Sequence, residues 1–205
     1  WLLIGVSIVF LIVMLVLPLV YVIYTALREG WKVFVSSVTD EYAVKSIFLT
    51  VKVTVITVII NSVFGIFAAW LITRFKFRGK KLISTLIDLP LTISPIIAGL
   101  IFVLTFGRQS AIYPFLEKWG IQIIFAVPGI VLATIFVTFP FISREIIPVL
   151  TVKGTDEEEA AALMGANGFQ IFTQITFPHI RWAFLYGVVL CSARAMGEFG
   201  AVSVL

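Results

Sequence analysis

Long apolar runs separated by short polar connectors dominate the pattern of the chain. Five runs are long enough to cross a hydrocarbon core of about 30 Å as helix, which takes roughly 20 residues: Leu2 to Leu27, Ser46 to Thr73, Leu82 to Phe106, Ile121 to Ile142 and Trp182 to Leu205. None alternates with the period of two that a barrel strand requires, and lipid offers backbone polar groups no partner outside a helix. The predicted fold class is therefore all-α, a polytopic transmembrane helical bundle. It is read as a single transmembrane domain over residues 1–205, with a polar cytoplasmic loop at about 151–180. Leu2 to Leu27 is too long for a signal-peptide core and is followed by no small-residue cleavage site, so it is read as a span. The chain begins at Trp1 and stops at Leu205 inside an apolar run, and a longer subunit with one more span is expected.

Composition agrees with that pattern. Of 205 residues, 60% are hydrophobic and 13% charged, and the mean hydropathy is +1.13, well outside the range of a soluble domain. Lipid is the expected surrounding, and no nucleic acid is expected as a partner. The single Cys191 cannot form an intrachain disulfide, and its apolar neighbours suit a small buried side chain. His179, the only histidine, has no cysteine or histidine cluster near it, so no metal role is assigned and no catalytic constellation is found.

Charge sets the orientation. Arg74, Lys76, Arg78, Lys80 and Lys81 crowd one connector without an acid, whereas Arg28, Lys32 and Lys45 are balanced by Glu29, Asp40 and Glu41. The Arg74 to Lys81 connector is expected in the cytoplasm. Alternation then places the N-terminus and Ser143 to Arg181 inside, and the Arg28 to Lys45 and Gly107 to Gly120 loops outside.

Within the inside loop, Thr155 to Pro178 is a polar, acidic insert. Thr155 followed by Glu158 has the capping-box spacing, and Asp156, Glu157, Glu158 and Glu159 would crowd a first turn where the helix dipole favours negative charge. A short helix is expected from Asp156. Ala160, Ala161, Ala162 and Gly165 leave a face of little bulk that another surface can approach, and Asn167-Gly168 signals a turn. A second short helix is expected to run to Pro178, packed down by Phe169, Phe172 and Ile175. The residues alone leave two readings open, a solvated loop and a docking knob.

The insert resembles the EAA motif of permease subunits in bacterial ATP-binding cassette importers. Glu159-Ala160-Ala161, Gly165, Ile175 and Phe177-Pro178 stand at the spacing of that motif, with Phe177 in place of leucine. Asp88-Leu89-Pro90, Ile93 to Gly99, Gly120 to Ala126, the Gly154 to Glu159 run and Ala193 to Val202 look like the sulfate/thiosulfate permease of the CysW type, a resemblance that runs from about Tyr42 to the end. It implies the type I importer permease fold, with a coupling helix that carries Glu158, Glu159, Ala160, Ala161, Gly165, Ile175 and Pro178 into a groove of an ATPase subunit. It also implies an ATPase dimer, a second homologous permease subunit, a soluble sulfate/thiosulfate-binding protein, and a bacterial inner membrane or the corresponding plastid membrane. No Gly-x-x-x-x-Gly-Lys-Ser/Thr loop occurs, so ATP and Mg are expected on the partner and no cofactor on this chain.

Charges inside spans cost about 2.5 to 3.5 kcal/mol at a helix centre on insertion scales and usually face a bundle interior or a wet path. Arg194 and Glu198 are one turn apart and able to neutralise each other. The pair reads either as a packing anchor or as a gate on the anion path. Pro90, Pro95 and Gly99 admit bends, and their span is the other candidate for lining the path. Molybdate or tungstate import is the alternative within transporters. A non-transporting scaffold or an intramembrane enzyme is the alternative of another class.

Overall fold

The structure, a computed structural model, describes residues 1–198 and 200–204. Phe199, in the Gly-Glu-Phe-Gly stretch, and Leu205, at the end of the fifth predicted span, lie outside the described residues. Eleven α-helices, one short π-helical stretch and no strand occur among the described residues. They divide into two units, residues 1–49 and 50–205.

The first unit holds α1 (Leu2–Leu27), α2 (Trp31–Val38) and the start of α3 (Glu41–Arg74). The long apolar surface of α1 is exposed all round within this unit, as suits a helix whose neighbours are lipid or other subunits.

The second unit contains the core. Its elements are the rest of α3, α4 (Lys80–Thr92), α5 (Pro95–Phe106), α6 (Tyr113–Lys118), α7 (Val127–Thr138), α8 (Pro140–Lys153), α9 (Asp156–Leu163), α10 (Gly168–Ile171) and α11 (Phe177–Met196). On α3, Val53, Thr57, Asn61, Gly65, Ala69 and Ile72 recur every three or four residues and are buried, so one stripe of small and polar side chains faces the bundle. A close approach of helices is at Ile142 of α8. A Cβ placed on Gly65 of α3 would lie 2.9 Å from the Ile142 side chain, and one on Gly187 of α11 would lie 3.0 Å from the Ile142 Cα. Two glycines thus let three helices close around one isoleucine, and Ala69, Ile146, Leu150, Ile180 and Cys191 complete the core. Beside them Asn61 donates from Nδ2 to Thr138 Oγ1 at 2.8 Å, joining α3 to α7.

The predicted spans change in three places. The run from Leu82 to Phe106 is two helices that meet at 109°. Pro95 opens α5 without a donor to give and disfavours a helical residue before it, and Ile93 and Ser94 are extended, with ψ 134 at both. The fourth span starts at Val127 and runs to Lys153, so Ser143 to Lys153 belongs to a helix and the inside loop is shorter than predicted. Pro140 lies within this span, not at its end, because Phe139 keeps helical dihedrals (φ -53, ψ -43) and carries the chain from α7 into α8. The fifth helix runs from Phe177 to Met196, earlier than Trp182 to Leu205, and is followed by turns. With His179, Arg181 and Arg194 inside it, α11 is not among the helices apolar and long enough to cross a membrane; among the described residues three are, or four if the bent pair is one span.

The ends of α3 and α8 meet, since Arg74 donates to the Leu150 carbonyl at 3.1 Å. Val127–Lys153, α7 and α8 together, is long and apolar enough to be one crossing. The bent α4–α5 pair has the length and apolar composition of one broken span or of a re-entrant loop.

Candidate functional site

The acidic insert forms where the sequence places it, with different local chemistry. α9 starts at Asp156 with four acids in its first turn. Side by side these carboxylates repel, and each of three finds its own relief. Glu159 accepts from the Thr155 hydroxyl at 2.6 Å. Glu157 lies 3.4 Å from Nε2 of His179. Glu158 turns inward to Nη2 of Arg74 at 2.7 Å and also accepts from the Thr176 hydroxyl at 2.8 Å. The predicted Thr155–Glu158 capping box is therefore absent, because a buried cation outcompetes the backbone for Glu158.

Gly165 ends α9 for a conformational reason. Its φ is +92, in the left-handed region that side chains disfavour. The Gly165 amide donates to the Ala162 carbonyl at 3.0 Å and the Ala166 amide to that of Ala161 at 3.0 Å, the paired bonds of a Schellman C-cap. No atom lies within 4 Å of a Cβ built there, so within the chain the glycine is not needed for space.

A reciprocal capping box opens α10. Asn167 Oδ1 accepts from the Gln170 amide and Gln170 Oε1 from the Asn167 amide, both at 2.9 Å. The predicted second helix does not stop at Pro178. α10 passes through a wide, π-type turn at Phe172–Thr176 directly into α11, where Pro178 sits in the first turn and has no lost donor to answer for. Phe172 and Ile175 are half-buried as predicted, whereas Phe169 is exposed.

Exposure defines the outer face of the knob. No residue of α9 is buried; Glu159, Ala160 and Gly165 are exposed and Ala161 is half-buried. Leu163 is 90% and Met164 87% exposed, beside exposed Phe169. Large apolar side chains so fully bared on a polar element mark a contact surface. On the inner side, a cavity of about 670 Å³ lies between α3, α9 and α10, lined among others by Phe67, Trp70, Arg74, Glu159 and Phe172.

The second group of predicted residues converges on the turn after α11. Arg194 Nη1 lies 2.8 Å from Glu198 Oε2, with side chains 31% and 1% exposed. Glu198 Oε1 accepts from the Ala201 amide at 2.9 Å, so this carboxylate also fixes the turn. A Cβ on Gly99 would lie 2.8 Å from the Ala201 carbonyl, and one on Gly200 2.9 Å from the Pro95 Cβ. Pro95 and Gly99 of α5 thus meet Gly200 and Ala201, and Glu198 ties Arg194 to the Ala201 amide beside them. Pro90 is elsewhere, buried in α4. Asp88, two residues before it, pairs with Arg144 Nε at 3.0 Å. No group of three or more histidine, cysteine or acidic side chains is placed to hold a metal among the described residues.

Sequence reasoning missed Arg74, Thr176 and Asn61. Arg74 counted only as one of five positive charges, and its place as the first charge after an apolar run was the available signal. Asn61, a lone amide in a span, was passed over although an intramembrane polar residue asks for a partner.

Residues 61–205 match the family model described as the binding-protein-dependent transport system inner membrane component. The chain is 46% identical over 205 residues, 100% of its length, to the sulfate transport system permease protein CysW of Escherichia coli (strain K12), covering 70% of that protein. It is 49% identical over 203 residues, 99% of its length, to the protein of the same name from Synechococcus elongatus, covering 71% of it. A third relative is sulfate permease 2, chloroplastic, of Chlamydomonas reinhardtii, 43% identical over 204 residues, 100% of this chain and 55% of that one.

Proposed function

The chain belongs to the inner membrane components of binding-protein-dependent transport systems, multi-pass transport subunits rather than enzymes, and on that premise we propose that it is a permease subunit of an ATP-driven importer for sulfate or thiosulfate. One observation carries the substrate: relatives named for sulfate transport are 46% to 49% identical to essentially the whole chain. The bacterial cytoplasmic membrane is the location proposed, since these relatives are bacterial.

The division of labour follows from the chemistry. The chain has no phosphate-binding loop, so a separate ATPase dimer supplies the hydrolysis. The exposed face of α9 with Leu163, Met164 and Phe169 is the docking surface for that dimer, with Glu159, Ala160 and Ala161 beside it. The path for the anion is completed by a second, homologous permease subunit, and a soluble binding protein delivers sulfate at the outer face. Within this subunit the contact of the bent α4–α5 pair with the Arg194–Glu198 turn is the proposed gate. Arg194, partly exposed beside a buried partner, offers donors to an oxyanion only when it leaves Glu198, so the pairing prevents a permanent strong anion site in a path that must release its cargo.

Uptake of labelled sulfate into proteoliposomes holding the assembled importer tests the reading. ATP-dependent accumulation that unlabelled sulfate competes away and molybdate does not is expected. Molybdate uptake without sulfate uptake would replace the substrate, and no ATP-dependent uptake of either would overturn the transport reading.

A further inference from the structure

Four helix ends meet at one largely buried ion pair. Arg74 is the last residue of α3, Leu150 lies in the last turn of α8, Glu158 in the first turn of α9, and Thr176 immediately precedes α11. The Arg74 guanidinium donates from Nη1 to the Leu150 carbonyl at 3.1 Å and from Nη2 to Glu158 Oε1 at 2.7 Å. The same Glu158 oxygen accepts from the Thr176 hydroxyl at 2.8 Å. The Arg74 and Glu158 side chains are only 9% and 16% exposed, and Arg74 Nε is buried without a partner.

This cluster contrasts with the rest of α9, which buries no residue and turns its large apolar side chains outward. Its two flanks are turns at exposed glycines, Gly154 and Gly165. A force on the outer face of α9 therefore has little apolar contact through which to reach the spans. The Glu158 carboxylate is its buried polar link, and through a planar guanidinium that link reaches α3 and α8 together, a geometry that a point charge on a flexible stem does not reproduce. We propose that Arg74 and Glu158 are positioning residues of the transport cycle, a strut that makes α9, α3, α8 and the start of α11 move as one body when the ATPase moves the knob. The inference rests on the docking assignment above but on no particular substrate.

An ion pair at this depth has an alternative role as mere stabilisation, and the two roles separate in an apolar replacement. A buried pair exchanged for well-packed apolar side chains is often neutral or stabilising. The double variant Arg74→Met with Glu158→Leu removes the directional bonds while filling similar space. Glu158→Gln keeps an acceptor oxygen facing both donors and is the conservative control.

The experiment is a spin-label distance measurement in the complete importer in lipid, with and without ATP. Labels are placed at Asp156→Cys at the start of α9, away from the docking residues, and at Ile59→Cys on α3, both exposed sites; the native Cys191 is buried and escapes labelling. In the unsubstituted background and in Glu158→Gln, a single narrow distribution that ATP leaves in place is expected. In the apolar double variant, ATP should shift or broaden it by several ångströms while the melting temperature stays within a few degrees. An ATP-invariant narrow distribution in the folded double variant overturns the strut, as does an ATP-dependent shift in the unsubstituted background. A wild-type importer that moves as described but carries no sulfate would refute the substrate reading and leave the strut standing.

Discussion

Replacing Gly165 separates a backbone requirement from a contact requirement in the knob. With φ +92 and no atom within 4 Å of a Cβ, any penalty inside this chain comes from the left-handed backbone and not from a clash. An alanine there costs about 1 to 2 kcal/mol, a β-branched valine more, and asparagine, which tolerates that region, a few tenths. The penalty falls on a C-cap of two hydrogen bonds, so it appears as a smaller fraction of α9 ending correctly. Apparent affinity for the ATPase falls with that fraction. About 1.4 kcal/mol is tenfold, which gives Gly165→Ala roughly a fivefold to thirtyfold weakening, Gly165→Val more, and Gly165→Asn no more than about twofold. The assay is titration of the purified ATPase against the permease in lipid nanodiscs, read by fluorescence anisotropy. If Gly165→Asn abolishes binding as fully as Gly165→Val, the glycine serves close approach to the partner and the backbone argument is refuted.

Other expectations follow from the same contacts. Gly65→Val should lower the thermal stability of the permease by about 1 to 3 kcal/mol or more, because its Cβ would meet the Ile142 side chain at 2.9 Å in a filled core; an unchanged unfolding transition would contradict that packing. Removing the Glu198 carboxylate with Glu198→Ala should cut both stability and sulfate uptake, whereas Glu198→Gln keeps the acceptor for the Ala201 amide and should retain the fold, as limited proteolysis would read. Leu163→Asp should weaken ATPase copurification without moving the unfolding transition, because the side chain is 90% exposed.

How far the sequence carried this structure depends on whether the signal was local. Apolar runs and the helix from Asp156 were legible, because length and an acidic first turn are properties of adjacent residues. Basic residues after α3 and the acidic insert were expected on one side of the membrane, and the Arg74–Glu158 contact joins those two segments directly. What escaped was partner choice. The spacing of Thr155 and Glu158 fits a capping box, but an arginine eighty-four positions earlier claims the carboxylate. Similarly, the glycine at position 165 read as absent bulk and acts as a left-handed cap. Helix ends were displaced wherever a proline had two possible roles: Pro95 starts a helix at a sharp bend, whereas Pro140 and Pro178 lie in first turns and interrupt nothing.

Site-specific photocrosslinking in the complete importer tests the docking of the ATPase on α9 most directly. A photoreactive probe at Leu163→Cys should crosslink to the ATPase subunit, and the same probe at Val189→Cys, exposed on the apolar part of α11, should not. Crosslinking from Val189 with none from Leu163 would contradict the account.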